Sequence, residues 1–241
     1  MNLREFSDEF GTMVNSYHRY KDFDNQEILD SVEFDEYEKS LFLTKAEKEV
    51  VLSLYNGRNS AGTAFEETEE LRRYLANLIR EAELSPIRTS NGMPLGLDSK
   101  SKFFTLPEDL WFITYESVGI GDPDCEDLAR QEVLPVRQDE YHRLKKHPFR
   151  GPNARRSLRL DLSENNVEIV SKYNVAKYYV RYIKKVKPII LEDLPNGLTI
   201  EGIGVATPCE LHETLHHRIL ENAVMMALQS KGYKINNNEN K

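Results

Sequence analysis

The sequence predicts an α+β protein: a helical bundle formed by N-terminal helices plus a C-terminal helix, with an antiparallel β-rich module inserted between them. Three observations carry this reading. Apolar residues recur at helical spacing through the first third of the chain. They then alternate with a period of two, in segments rich in β-branched and aromatic residues. Helical spacing returns after residue 207. The expected parts are a helical region over 1–98, a β-rich module over 99–206, a closing helix over 207–231 and a flexible tail over 232–241.

In chain order, Leu3, Phe6, Phe10, Met13, Val14 and Tyr17 share one helical face. Asp24 with Glu27 reads as a capping box before Ile28, Leu29 and Val32, and Thr44 with Glu47 as a second one before Val50, Val51, Leu54 and Tyr55. Asn56-Gly57 is a stop signal for that helix. Leu71, Tyr74, Leu75, Leu78, Ile79 and Ala82 form the clearest stripe, opened by Thr63 or Thr68. Each such helix has one apolar face and needs a partner, and a bundle is the economical solution.

SPIRTSNGMPLGLDSK, residues 85–100, is broken by Gly and Pro and reads as a long loop. KFFTL, LWFITYESV, QEVLPV, RSLRLDL, VEIVSKY and VAKYYVRYIKK follow as strands, interrupted by a short helix, DEYHRLKKH, before Pro148. The last helix starts from Thr207 as N-cap with Pro208 in the first turn and Glu210 completing a capping box. Leu211, Leu215, Ile219, Ala223 and Ala227 form its stripe, and Gly232 ends it.

The chain of 241 residues is long enough for a substantial core. No apolar run reaches the length of a membrane span, so no membrane partner is expected. The acidic, amphipathic start MNLREFSDEFG is unlike a signal peptide. Two cysteines give no disulfide framework, which points to synthesis in a reducing cytoplasm.

The net charge of −8 conceals a segregation. Residues 1–40 hold eleven acids against four bases, whereas residues 141–190 hold thirteen bases against Asp161, Glu164 and Glu168. Unlike-charged ends of this kind suit a contact between copies. The interface candidates are Glu33, Asp35, Glu36 and Glu38 on the acidic side and Arg155, Arg156 and Lys184 on the basic side.

HETLH, residues 212–216, matches the zinc-protease pattern H-E-x-x-H. On a helix, His212 and His216 would share a face and a zinc ion, with Glu213 as general base, and Cys209 would fall on the same face. A structural site with Cys125 is the other arrangement. A catalytic zinc needs a third protein ligand, however, and Ile219 and Asn222 stand where the extended motif requires Gly and His. The expected reading is a packing helix with no metal, no cofactor and no enzymatic activity; a zinc-dependent peptidase is the alternative. GDPDCEDLA, residues 121–129, lacks the spacing of a calcium loop and reads as solvated. The basic stretch 142–159 offers a second alternative, a nucleic-acid-binding module, but carries only Phe149 for stacking.

The stretches LTKAEKEVVLSLYNG, FEETEELRRYLANLI, LPEDLWFITYESV, LPVRQDEYHRLKKHPFRGPN, YYVRYIKKVKPIILEDL and TPCELHETLHHRILENAV resemble the head-to-tail connector ring, or portal adaptor, proteins of crAss-like and other short-tailed bacteriophages. The resemblance covers most of residues 40–230. It implies a virion structural protein that assembles with itself into a twelve-fold ring beneath the portal protein. It also implies contact with an adjacent connector or tail ring protein, and genomic DNA passing through the lumen during packaging and ejection. The polar C-terminal segment of such connectors can fold into a groove of the portal. No catalytic residue is implied.

Overall fold

The structure is a computed structural model that describes residues 1–22, 33–58, 62, 64, 65, 67–87, 96–98, 100–122, 128–163 and 165–233. The Asp24–Glu27 box, most of the 85–100 loop, the centre of the acidic 121–129 stretch with Cys125, and the end of the tail lie outside the described residues. The chain divides into two units, Met1–Leu78 with Val186–Lys241, and Ile79–Lys185. It is a mixed α+β protein built from five α-helices and a seven-stranded sheet among the described residues.

In the first unit, α1 (Leu3–Asp22), α2 (Glu36–Tyr55) and α5 (His216–Ser230) pack on one another. Helix α2 buries Leu43, Ala46, Val50, Val51 and Leu54, and α5 answers with Ile219, Leu220, Ala223, Val224, Ala227 and Leu228. Phe6 and Phe10 of α1 are fully buried, and the Phe6 ring lies 5.3 Å from that of His216. Burying such side chains contributes about 1.5–3 kcal/mol each.

Helix α2 begins earlier than the sequence reading placed it. Its capping box is Asp35 with Glu38: Glu38 N–H donates to Asp35 at 2.7 Å, and Asp35 N–H donates to the Glu38 carboxylate at 3.2 Å. Thr44 and Glu47 are buried in mid-helix instead. The Thr44 hydroxyl bonds both Ile189 backbone groups, and the Ser40 hydroxyl accepts from Leu191 N–H at 3.0 Å. The buried segment around Val186, Ile189, Ile190 and Leu191 is thus tied to α2 by hydroxyls, which satisfy backbone groups that would otherwise be stranded.

Two further expectations are corrected. Helix α3 covers only Glu69–Tyr74, capped by Thr68, and after a 3₁₀ turn the chain becomes strand β1 (Ile79–Leu84). The residues IREAEL fit both periods, and pairing with a neighbouring strand decides the outcome: Glu81 faces Arg181 in an ion pair of 2.5 Å, and Glu83, opposite Tyr179, reaches diagonally to Lys177 at 2.7 Å. The terminal helix starts at His216, preceded by a 3₁₀ turn over Glu213–Leu215, not at Thr207. Thr207 exchanges two backbone hydrogen bonds with Ile190, which hold it extended.

The second unit is one sheet in the order β1-β7-β3-β4-β5-β6-β2, where β2 is Lys102–Thr105, β3 Leu110–Ile120, β4 Ala129–Pro135, β5 Arg156–Asp161, β6 Asn166–Val170 and β7 Val175–Lys184. All the expected strands are present. One pairing, β4 with β5, is parallel. The link between them carries the short helix α4 (Tyr141–Lys145), because a parallel pair needs a crossover rather than a tight turn. The sheet curls, so that Phe104 of β2 meets Tyr178 of β7 at 5.3 Å in a core with Val118, Val167, Ile169 and Val180. Within it Glu116 accepts from Arg159 at 2.9 Å and from the Tyr178 hydroxyl at 2.5 Å, so the buried charge is paired.

Candidate functional site

The HETLH residues do not share a helical face. His212 precedes the 3₁₀ turn with extended backbone, and its exposed ring accepts from Thr214 N–H at 3.4 Å. His216 is the first residue of α5 and is buried. Its Nδ1 lies 2.8 Å from the Met1 amino group and its Nε2 3.3 Å from the Leu211 carbonyl, so Nδ1 accepts and Nε2 donates in the neutral ring. Burial holds its pKa below the usual histidine value, and the Met1 charge adds to the effect. The i, i+4 geometry that a zinc pair requires is therefore lost. Glu213 is exposed. Cys209 lies before the helix and donates its thiol to Glu47 at 3.2 Å. Burial pushes the thiol pKa up, and burial likewise raises the Glu47 carboxyl to about 8. Among the described residues no three His, Cys, Asp or Glu side chains form a metal-binding group.

The acidic interface candidates gather at the start of α2. Glu33 is exposed, but the other three are engaged within the subunit. Asp35 and Glu38 form the cap, and Glu36 pairs with Lys39 at 2.6 Å and accepts from Ser7 at 2.8 Å. Of the basic candidates, Arg155 is exposed, Arg156 lies 3.3 Å from Glu132 at the start of β5, and Lys184 is buried at the end of β7. Arg155 and Arg156 are adjacent; Lys184 belongs to a different strand.

Two surface features stand out, one in the basic stretch 142–159 that the sequence singles out and one that the sequence does not show. The first is the turn after α4, where Phe149 is 80% exposed among Arg143, Lys146 and Arg150. The second is a groove of about 520 Å³ lined by Glu69, Glu70, Arg73, Tyr74 and His212. The helical spacing places Tyr74 in a core stripe; with α3 only six residues long it is half-buried at the surface instead.

The structure brings neither the HETLH residues nor the charged candidates together as one site, and comparison with known proteins places the chain. The family described as phage tail ring protein 3/4 matches residues 1–239, and the chain belongs to that family. It is 45% identical over 242 residues to Ring protein 3 of Bacteroides phage crAss001, covering 99% of this chain and 100% of the relative. It is also 27% identical over 238 residues to Ring protein 4/5 of the same phage, covering 94% and 92%. It is a ring protein of a crAss-like phage, as the resemblance in its sequence implied.

Proposed function

We propose that this protein forms a closed homo-oligomeric ring, twelve-fold, in the head-to-tail connector of the virion. The ring binds the portal side of the stack and passes genomic DNA through its lumen during packaging and ejection. The observation that carries this reading is the full-length likeness to a ring protein at 45% identity. The weaker likeness to a second ring protein of the same phage supports stacked rings of related subunits, so the adjacent partner is another member of this family. In this reading the helices of the first unit act as a bundle that carries the sheet, and no chemistry is performed. Ring closure uses a heterologous interface, one patch of each copy meeting a different patch of the next. The acidic residues around Glu33 and the basic residues around Arg155 steer that approach; such fields set rate and register more than affinity.

The portal contact is assigned to the C-terminal segment. Gly232 N–H and Tyr233 N–H donate to the Gln229 and Leu228 carbonyls and cap α5, so the segment that can be removed without loss of the cap starts at residue 234. Deleting residues 234–241 should leave the unfolding temperature and ring formation unchanged and reduce co-sedimentation with the phage's portal protein. Full-strength co-sedimentation by the truncated chain would refute the portal assignment.

A further inference from the structure

The turn that follows α4 is built to present one aromatic side chain. His147 N–H donates to Leu144 at 2.9 Å, and Gly151 N–H donates to His147 at 2.9 Å. The His147 ring nitrogen accepts from the N–H groups of Phe149 and Arg150 at 3.2 and 3.1 Å. Gly151 is buried beneath the turn, where an added Cβ would come within 2.8–2.9 Å of three backbone carbonyls. Asn153 then accepts from Arg155 N–H at 2.8 Å. The backbone is fixed, yet Phe149 at its tip stays 80% exposed. An exposed aromatic ring on a hydrogen-bonded turn, with exposed Arg143, Lys146 and Arg150 close in sequence, has the makeup of an interface anchor. Nucleic acid is disfavoured because single-strand binders stack successive bases on several aromatics.

The anchor calls for an aromatic or apolar seat with an acidic rim. The groove over α3 has this chemistry. It is lined by the Tyr74 ring, 5.9 Å from the His212 ring, and by exposed Glu69 and Glu70, which within α3 respectively pair with Arg73 and accept from the Tyr74 hydroxyl. Among its lining residues two acids stand against Arg73, and exposed Glu67 and Glu213 lie beside them in sequence. Two other grooves lack an acid excess. One sets Arg130 and Arg181 against Glu81 and Glu83; the other sets Lys100, Lys145 and Lys172 against Asp98.

We infer that the Phe149 tip of one copy seats in the Glu69–Glu70–Tyr74–His212 groove of the next copy, a contact that rests on the ring reading above and supplies its anchor. The motif that imitates a zinc site therefore contributes His212 to a protein contact. An edge-to-face or stacked ring pair and an arginine over Tyr74 are the interactions the two surfaces offer.

The test is sedimentation of the full-length protein over a concentration series. F149A, on an exposed site, and E69Q/E70Q should each keep the wild-type unfolding temperature and weaken self-association about tenfold or more. K146E/R150E should do the same. The quadruple variant K146E/R150E/E69K/E70K, with both surfaces inverted on every copy, should regain most of the association. Wild-type protein that stays monomeric at every concentration overturns the ring reading and this contact together. Wild-type rings indifferent to F149A or to E69Q/E70Q overturn this contact alone. Loss of duplex-DNA binding in K146E/R150E with unchanged self-association also overturns it, by making the tip a nucleic-acid contact.

Discussion

Glu47 is fully buried on α2, with one carboxylate oxygen accepting the Cys209 thiol and the other without a hydrogen-bond partner among the described residues. Burial raises its pKa to about 8, so at neutral pH the folded protein holds it protonated while the unfolded chain, near 4.5, does not. The folded state then binds the extra proton. The stability linked to Glu47 is complete below about 4.5 and is lost as pH rises through 8. His216, whose pKa is lowered by burial, works in the opposite sense: its contribution is lost as pH falls through its folded-state value. Comparing wild type with Glu47→Gln isolates the carboxylate. Denaturant unfolding at pH 5 and pH 8 should show wild type losing on the order of 1 kcal/mol or more relative to the variant over that interval. Parallel pH curves for the two proteins would show that the carboxylate is ionised in the folded state.

The elements were legible in the sequence where local pattern and tertiary pairing agree. The strands from Lys102 to Lys184 qualify, since their β-branched and aromatic content marks them, although β6 buries four consecutive residues rather than alternating. So do α1 and the Asn56-Gly57 stop, where Gly57 adopts φ 71°. Legibility failed where a local signal has a second use. Thr44-x-x-Glu47 has the spelling of a capping box, yet both side chains face inward, one to tie a neighbouring segment and one to meet Cys209. Thr207-Pro208 has the spelling of a helix start, but Ile190 claims the Thr207 backbone. Of the candidate site, charge segregation could be read directly, whereas the groove depends on α3 ending at Tyr74, which no local residue dictates. The distinction can be measured. Thr44→Val keeps the shape and strands the Ile189 backbone groups, so it should cost about 1–3 kcal/mol. Asp35→Ala removes a cap and should cost about 0.5–2 kcal/mol. If the real cap were at Thr44, Asp35→Ala would have no measurable effect in thermal unfolding.

At the scale of the whole molecule, two compact units carry the fold and the exposed surfaces are left for contacts. Glu36, Asp35 and Glu38 illustrate the division: sequence reading offered them to a partner, and the fold uses them to build α2. Glu33, Arg155 and the Phe149 turn stay exposed and available. Individual exposed charge pairs contribute only about 0–1 kcal/mol each, so assembly must draw on an anchor as well as on the charge field. The most direct measurement of the central claim is electron cryomicroscopy of assembled particles containing this protein. The account requires a closed ring of identical copies around the DNA path, joined by one repeated heterologous interface that involves the second unit of one copy and the first unit of the next. Isolated monomers, an open helical array, or a ring closed by two-fold contacts between identical patches would contradict it.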